Sequence, residues 1–486
     1  MRNVFFLLLV LAPAALLQAE EKLSRPALDA KTIESTFAVD WYGVYLKDES
    51  SGKDKKIGYF MSKRERADKA VHDSFLMTMK IASFGKKVEM VISQDLFFEV
   101  EAPYRLLRGE FSQSSGPVKT RTLLERNGKG FRVTQSSAGM DVKRDLPEID
   151  FDLADAMASE IWLRQGPKEG DTITFRDFSM EDLKVETQKT TLLTRKKSLV
   201  AGVEAVFYEV ESIGSRNKLK MKTLHDDQGR LLSGKIAIFD LRRETEAQAK
   251  NTEYSADLFV LGQVKVDRPL GRTQSLEELV VEVLGKGGEV IPDGPRQTVE
   301  VKDGKRVLRI GKRYGKVVKA TDKDIKEALE ETTALPITHP KIVALAKEAV
   351  GDADTPAEKV KRICNFTYKY IRPSLTTSPP EIHHLIERKS GDCKCYARMF
   401  CVLARASGIP AREVSGFVYM GDDVKAFGGH AWDEALLDGV WVPLDASLNR
   451  TEVTAGHVYL GTDRDAAGIL ETMGRVQFRL VEKKSK

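Results

Sequence analysis

Three of the four cysteines of the chain lie within residues 391–412, GDCKCYARMFCVLARASGIPAR. Cys393 and Cys395 are separated by one residue, whereas zinc ligand pairs usually have two to four residues between them, and no histidine follows closely. This spacing disfavours a metal site. Cys395 and Cys401 lie six residues apart on a predicted helix, ~240° around its axis, so they cannot form a disulfide with each other. A bridge from Cys364 to one of them remains an alternative.

Cys393 has the setting of a nucleophile. It follows Gly391-Asp392, where the helix is expected to begin, and the positive end of a helix dipole favours the thiolate form of a cysteine. Gly391 is expected to let a substrate backbone approach closely. Cys401 falls on the inward face of the helix as an ordinary small core residue, and Cys395 has no assigned role. Cys393 is therefore the candidate catalytic nucleophile.

His430 and Asp445 are the candidate partners of this thiol, because a thiolate needs a base that can also return a proton. His430 follows a glycine pair in FGGHAWDEAL, at the start of a predicted strand, and Asp445 comes fifteen residues later in WVPLDAS. If these segments form a hairpin that turns at LDGV, Asp445 lies opposite His430. The predicted catalytic residues are thus Cys393, His430 and Asp445, with the carboxylate orienting the imidazole.

The elements around these residues predict an α+β domain over residues 340–486. HPKIVALAKEAVG and TPAEKVKRICNFTYKYI carry apolar residues at helical spacing, and Thr355-Pro356 marks a helix start. The helix that begins near Cys393 is expected to end at Gly408. PAREVSGFVY, HAWDEALL and VWVPLDAS then have the pattern of strands, so helices are followed by an antiparallel sheet.

Most of the chain before this domain has the pattern of β-structure. Period-two alternation in segments such as KVEMVISQDLFFEVE and AVFYEVESI predicts a large antiparallel sheet over residues 30–250, with one helix in DFDLADAMASEIWLRQGP. Short strand candidates punctuated by Gly and Pro predict a small β domain over residues 256–333. ETTALPITHP is the expected linker to the α+β domain. The predicted fold class is therefore multidomain, with a β-rich N-terminal region followed by an α+β domain.

The composition disfavours several classes of function. The 486 residues include 77 basic and 72 acidic side chains, which are interspersed and give a net charge of +5. No basic block of the kind that follows a phosphate backbone is present, so we expect no nucleic-acid partner. Neither a metal nor another cofactor is predicted. The 31% of charged residues fits a globular protein and does not fit many membrane spans.

The N-terminal residues MRNVFFLLLVLAPAALLQAEEK predict export. Arg2 precedes an apolar run, and Ala19 precedes two glutamates, so residues 1–19 are expected to be a signal peptide. An uncleaved anchor is the alternative, although the run is shorter than the ~20 residues that a span prefers and contains Pro13. The mature protein is expected in the periplasm or outside the cell, without an integral membrane span.

Residues 385–460 resemble the transglutaminase-like domain of the papain-like superfamily. The resemblance is carried by GDCKCYARMFCVLARASGIPAREVSG, GGHAWDEALLDGVWVPLDAS and VTAGHVYL, which match the family's Cys, His and Asp segments in the family order. It implies a nucleophile at Cys393, a base and acid at His430, and an orienting carboxylate at Asp445. The β-rich region before it resembles, more loosely, the N-terminal part of exported bacterial proteins that carry this domain.

Two departures from the family pattern bear on the chemistry. Position 395 is a cysteine where many relatives carry a polar residue, and no acidic calcium-loop pattern is present, so calcium activation is not expected. The backbone N–H of Cys393 is the expected first oxyanion donor. The second donor is not identified by the sequence, and Tyr368 and Tyr370 are candidates.

The predicted activity is thiol-dependent acyl transfer on a protein or peptide amide. The triad is common to transglutaminase-like transfer and to peptidase-like or amidase-like hydrolysis, and the choice depends on water exclusion, which the sequence does not reveal. The alternative is a non-catalytic binding or scaffold protein of the cell envelope with a vestigial triad, whose β domains hold a partner. A thiol-redox role for Cys393 and Cys395 is a further alternative, with unfavourable geometry for a disulfide.

Overall fold

The computed structural model describes residues 23–47, 54–83, 86–116, 118–137, 140–181, 183–200, 203–215, 220–252, 256–332, 334–374, 381–462 and 467–486. The predicted signal peptide, residues 1–19, lies outside these ranges. The described chain divides into two compact units between Asp257 and Leu258. Within the described ranges, no helix is both long and apolar enough to cross a bilayer.

Unit 1, which ends at Asp257, is built on one large sheet. Its strands are β1 (Ala38–Lys47), β2 (Asp54–Ala67), β3 (Ala70–Ser83), β4 (Lys86–Glu99), β5 (Leu106–Ser115), β6 (Val118–Asn127), β7 (Gly130–Ser137), β8 (Met140–Leu146), β9 (Thr172–Ser179), β10 (Lys184–Val200), β11 (Val203–Gly214), β12 (Lys220–Asp226), β13 (Leu231–Ile236), β14 (Phe239–Glu244) and β15 (Ala256–Asp257). Its helices are α1 (Ala30–Glu34), α2 (Leu153–Arg164) and α3 (Glu246–Lys250). The strand order is β8-β7-β6-β5-β4-β3-β2-β1-β14-β13-β12-β11-β10-β9, with β15 beside β3.

The period-two pattern of these strands has a direct structural counterpart. In β12, Met221, Thr223 and His225 are buried, whereas Lys220 and Lys222 are exposed. Successive side chains of a strand point to opposite faces, so one face of the sheet packs inward while the other is wetter. The large antiparallel sheet that the alternation predicts is confirmed.

Helix α2 packs against β9 of this sheet. Asp152 caps it, since its carboxylate accepts from the N–H groups of Ala154 and Asp155. Leu153, Met157 and Ile161, whose spacing predicts the helix, are all buried. The apolar stripe of α2 thus supplies a cover for part of the sheet.

Unit 2 begins at Leu258 and combines a second sheet with several helices. Its helices are α4 (Leu258–Leu261), α5 (Asp322–Glu327), α6 (Pro340–Val350), α7 (Pro356–Tyr370), α8 (Ile382–Arg388), α9 (Cys393–Ala406) and α10 (Ala467–Thr472). Its strands are β16 (Val264–Val266), β17 (Leu276–Gly285), β18 (Gln297–Lys302), β19 (Lys305–Gly311), β20 (Arg372–Pro373), β21 (Ser390–Gly391), β22 (Ala411–Tyr419), β23 (Ala426–Leu437), β24 (Val440–Leu444), β25 (His457–Thr462) and β26 (Val476–Ser485). The predicted fold class, β-rich first and α+β last, is confirmed.

Strands that the sequence analysis assigned to two different domains lie in one sheet of unit 2. The order is β18-β19-β17-β26-β16-β23-β22-β25, and β24 pairs with β23. The last strand, β26, is antiparallel to β17 and parallel to β16. The pairing partners are far apart in sequence, so local patterns do not reveal this continuity. The division into a small β domain at residues 256–333 and an α+β domain at residues 340–486 stays a prediction. Strands from both of these ranges are hydrogen-bonded into the same sheet.

Helix α9 lies at the centre of one of the hydrophobic cores of unit 2. Ala397, Phe400, Cys401 and Ala404, which the helical spacing places on one inward face, are all fully buried. Helices α6 and α7 pack on α9, as do strands β22 and β23. Because protein interiors are close-packed, a helix enclosed on several sides has little freedom to shift, and its first residue is held in place.

Gly416 in β22 allows three chain segments to meet. A Cβ added there would lie 2.1 Å from the Val458 carbonyl oxygen and 2.5 Å from a ring carbon of Trp432.

We expect Gly416→Ala to lower the free energy of unfolding of unit 2 by about 1–3 kcal/mol, because backbone and ring must move apart. Urea unfolding measures this change. Gly429→Ala is the matched control, since a Cβ at Gly429 meets no atom within 4 Å; equal unfolding midpoints for the two variants would contradict the prediction.

Candidate active site

Cys393 is the first residue of α9. The carboxylate of Asp392 caps the helix by accepting a hydrogen bond from the Lys394 N–H at 3.1 Å. Cys393 is partly exposed, whereas the other three cysteines are buried, and these four described residues form no disulfide with one another. The N–H groups of a first helical turn have no acceptor within the helix. The sulfur of Cys393 therefore lies where the helix presents partial positive charge.

Cys395 packs against the segment that leads into α9. Its Sγ lies 3.3 Å from Arg388 Nη2, and a Cβ added to Gly391 would lie 2.4 Å from this sulfur. Burial raises the pKa of the Cys395 thiol. The missing Cβ of Gly391 thus makes room for Cys395, whereas the sequence analysis expected it to make room for a substrate. Cys395 is a packing residue in this arrangement.

The hairpin of β23 and β24 brings His430 and Asp445 together. Its register pairs Leu437 with Val440 across Asp438-Gly439, both of which have positive φ. The turn is therefore centred one residue further along the chain than the symmetry argument predicts. Extended by one position beyond β24, this register places Asp445 diagonally across from His430 and not directly opposite. Diagonal neighbours share a face of the sheet, so the two side chains still meet.

The three predicted catalytic side chains lie next to one another in a row. His430 Nε2 is 2.8 Å from Asp445 Oδ2. Cys393 also lies close enough to the imidazole to raise its pKa. Because Nε2 faces the carboxylate, Nδ1 is the nitrogen available to the thiol. Sulfur, imidazole and carboxylate follow one another in the order in which a triad operates.

Electrostatics favour a protonated imidazole at this site. Burial by itself lowers the pKa of His430, but the negative charges of Asp445 and the Cys393 thiolate outweigh it and raise this pKa to about 10. His430 is then protonated at neutral pH. A protonated imidazole next to a thiol stabilises the thiolate, which is the nucleophilic form of cysteine.

Asp445 remains ionised although it is completely buried. Burial raises the pKa of its carboxyl group, but His430 and His457 outweigh burial and hold the pKa far below its usual range. Oδ1 accepts from the Ser447 N–H at 2.9 Å, the Ser447 hydroxyl at 2.6 Å and the Leu448 N–H at 3.2 Å. Both oxygens are therefore occupied, and the carboxylate is held at the start of the 3₁₀ turn Ala446–Leu448.

His457 is a member of the site that the sequence analysis did not assign. Its Nε2 lies 3.1 Å from Asp445 Oδ2, the same oxygen that faces His430. It begins β25, which pairs with β22 and not with the hairpin that carries His430. VTAGHVYL contributed to the family resemblance, but the sequence contains no local signal that aims this histidine at Asp445.

The two tyrosines suggested as oxyanion donors differ in their availability. The Tyr370 hydroxyl donates to the Ile386 carbonyl at 3.2 Å, so its proton is already used. Tyr368 is 44% exposed. Among the described groups, the backbone N–H of Cys393 is the donor whose position at the helix start fits the role.

His430, Asp445 and His457 are also the residues that could hold a metal ion. Their ligand atoms all lie within 4.8 Å of one another. The two nitrogen–oxygen hydrogen bonds to Asp445 Oδ2, at 2.8 and 3.1 Å, account for this closeness without an ion. A protonated His430 would also have to lose its proton before it could bind a metal.

A family model matches the part of the chain that contains Cys393, His430 and Asp445. Residues 343–446 match the family model of the transglutaminase-like superfamily. The chain contains a transglutaminase-like domain. All three side chains of the row, Cys393, His430 and Asp445, lie within the matched residues of this domain.

Comparison with solved structures finds weaker likenesses. A candidate cysteine protease from Cytophaga hutchinsonii is 19% identical over 46% of this chain and 86% of that chain, with a TM-score of 0.26. A β-barrel-like protein of a domain of unknown function from Brucella abortus is 12% identical over 42% of this chain and 95% of that chain, with a TM-score of 0.31. A search of curated proteins finds no significant match.

Removal of the Asp445 charge tests the electrostatics of the candidate site. Asp445→Asn takes away a negative charge that raises the pKa of His430, so we expect this pKa to fall from about 10 toward the ordinary 6.5. In the wild type the raised pKa contributes stability that is complete below about pH 6.5 and is lost as the pH rises toward 10. NMR titration of the His430 ring in protein with isotope-labelled histidine measures the change.

Asp95→Asn is the matched control for this titration. Asp95 Oδ1 lies 2.7 Å from His72 Nε2 in unit 1, and this hydrogen bond raises the pKa of His72. The control should lower the pKa of His72 and leave that of His430 unchanged. A His430 pKa that is equal in wild type and Asp445→Asn would contradict the assigned role of the carboxylate.

Proposed function

We propose that the transglutaminase-like domain catalyses thiol-dependent acyl transfer on protein or peptide amides, with Cys393 as nucleophile, His430 as acid and base, and Asp445 as the orienting group. The observation that carries this proposal is the row of the three side chains, in which His430 is hydrogen-bonded to Asp445 and lies beside Cys393 at the start of a buried helix. A thiol, an imidazole and a buried carboxylate in this order supply the groups that the reaction needs.

The first half of the reaction uses the charged pair. The Cys393 thiolate attacks the carbonyl carbon of the amide, a carbon–sulfur bond forms, and the negative charge moves to the carbonyl oxygen. The Cys393 N–H at the helix start stabilises this oxyanion. The protonated His430 gives its proton to the amide nitrogen, the carbon–nitrogen bond breaks, and ammonia or an amine leaves. A thioester on Cys393 and a neutral imidazole remain.

The second half of the reaction restores the pair. An amine or a water molecule attacks the thioester, neutral His430 accepts its proton, and the carbon–sulfur bond breaks to release the thiolate. Asp445 stabilises the imidazolium each time it forms. Transfer to an amine gives a new amide, and transfer to water gives hydrolysis or deamidation. The partly exposed thiol of Cys393 leaves both acceptors open.

Reaction of Cys393 with an electrophilic thiol probe tests the proposal. The wild-type protein should show a fast labelling phase at pH 7, at least roughly tenfold faster than a free thiol, because a free cysteine is only a few per cent thiolate at that pH. Mass spectrometry of the labelled peptides should assign the fast phase to Cys393, and Cys393→Ala should remove it.

Cys401→Ala is the matched control, because Cys401 is a buried cysteine on the same helix. This variant should keep the fast phase. Wild-type protein that labels no faster than a free thiol would refute the catalytic proposal and favour a binding or scaffold protein. A peptide library with and without an added amine, analysed by mass spectrometry, then distinguishes hydrolysis, deamidation and amine incorporation.

We further propose that the protein is exported to the periplasm or beyond the cell, with residues 1–19 removed. The supporting observation is the basic residue Arg2 followed by an apolar run and Ala19. Expression of the full chain should give an exported form whose N-terminal residue is Glu20, as determined by N-terminal sequencing. A protein that keeps Met1 and stays in the cytoplasm would contradict this proposal, and Arg2→Glu should reduce export if the segment acts as a signal.

A further inference from the structure

His457 is a buried imidazole with a specific partner at each ring nitrogen. Nε2 lies 3.1 Å from Asp445 Oδ2, and Nδ1 lies 3.4 Å from Thr454 Oγ1. Only 3% of the residue is exposed. The ring also packs edge-on against Trp432, with 5.4 Å between ring centroids. A polar ring buried in this way is held by both its hydrogen bonds and its packing.

The environment of His457 keeps it neutral. Burial lowers its pKa more than the hydrogen bond to Asp445 raises it, and protonated His430 lowers it further. A neutral imidazole has one donor and one acceptor nitrogen. Because the Asp445 carboxylate accepts only, Nε2 of His457 carries the proton, and Nδ1 can accept from the Thr454 hydroxyl.

The two histidines on Asp445 Oδ2 differ in what they can contribute. His430 lies beside Cys393 and can exchange protons with a substrate, whereas His457 is hydrogen-bonded to the same carboxylate oxygen and is held at its other nitrogen by Thr454. Ser447 and Leu448 hold the opposite oxygen, Oδ1. The donors at both oxygens restrict rotation of the carboxylate about its χ2 angle, which is otherwise a soft torsion.

We propose that His457 is a positioning residue of the site, which donates a hydrogen bond to Asp445 and thereby keeps the carboxylate aligned with His430. This inference rests on the proposed function of Cys393. It adds a fourth residue to the row. His457 needs only to donate a hydrogen bond from Nε2 to the carboxylate, and it transfers no proton in the reaction. An Asp445 side chain without this donor can turn away from His430 and stabilises its protonated form less.

The fast labelling phase of Cys393 provides the test, because its rate constant and its amplitude carry different information. The amplitude measures the fraction of folded molecules, and the rate constant measures the reactivity of the folded site. His457→Leu should lower the rate constant by roughly tenfold or more, the size expected when a hydrogen bond to a charged group is lost. The midpoint at which the pH–rate profile reports deprotonation of His430 should also be lower than in the wild type, because a misaligned Asp445 raises the pKa of His430 less.

His457→Gln is the conservative variant. The side-chain amide of glutamine can place a donor near the position of Nε2, so this variant should recover most of the rate and most of the pH profile that His457→Leu loses. The measurements are made in EDTA, so that a stray divalent ion on the histidines does not alter the rate.

His225→Leu is the matched control. His225 is a buried histidine of unit 1 that, like His457, lies next to a threonine hydroxyl, with 2.8 Å between Nε2 and Thr223 Oγ1. Its replacement should change the amplitude or the stability and leave the rate constant of Cys393 unchanged.

The outcomes separate this inference from the proposed function. Wild-type protein without a fast phase refutes the function itself. If the wild-type protein shows the fast phase and His457→Leu leaves its rate constant and pH profile unchanged, the positioning role is overturned and the proposed function stands. This holds even if the amplitude falls. A His457→Gln rate as low as that of His457→Leu also overturns it, because the hydrogen bond would then not be the cause.

Discussion

A fully buried, ionised carboxylate is the constraint around which the site of unit 2 is organised. Removal of a charge from water costs several kcal/mol, and the charge is tolerated only when its surroundings supply donors. Asp445 has five: two from Ser447, one from Leu448 and one from each of two histidines. Loss of alignment in any of the segments that supply them would leave a buried charge partly unpaired.

The sheet of unit 2 is arranged so that these donors converge. His430 lies on β23 and His457 on β25, and β22 lies between the two strands. Gly416 is the β22 residue that pairs with His430, and the absence of a side chain there leaves room for Trp432 and for the Val458 carbonyl. Trp432 in turn lies against both histidine rings. One small residue in the middle strand thus permits the close packing that surrounds Asp445.

The nucleophile is positioned by a different kind of element. Cys393 stands at the first position of α9, whose inward face is fully buried, so the sulfur is fixed by a helix and the imidazole by a strand. A sheet and a helix that pack against each other set the distance between the two groups more rigidly than loops would. Cys364 lies on the neighbouring helix α7, where burial and the charges of Asp433 and Asp445 raise the pKa of its thiol to about 12. A buried thiol with so high a pKa stays protonated and inert, which leaves Cys393 as the partly exposed sulfur of the site.

Much of this arrangement follows from local sequence. Alternation predicts the sheet of unit 1, helical spacing predicts the buried face of α9, and the Gly391-Asp392 pair predicts the helix start beside Cys393, because these features depend on neighbours within a few residues. The hairpin around Asp438-Gly439 was displaced by one residue from the symmetry estimate, yet His430 and Asp445 still share a face. Three features were decided by the tertiary structure alone. The strands of the predicted small β domain join one sheet with β22 and β23, Gly391 leaves room for Cys395, and His457 contacts Asp445. These depend on pairing and packing between segments far apart in the chain, and no short stretch of sequence encodes which distant segment will lie beside it.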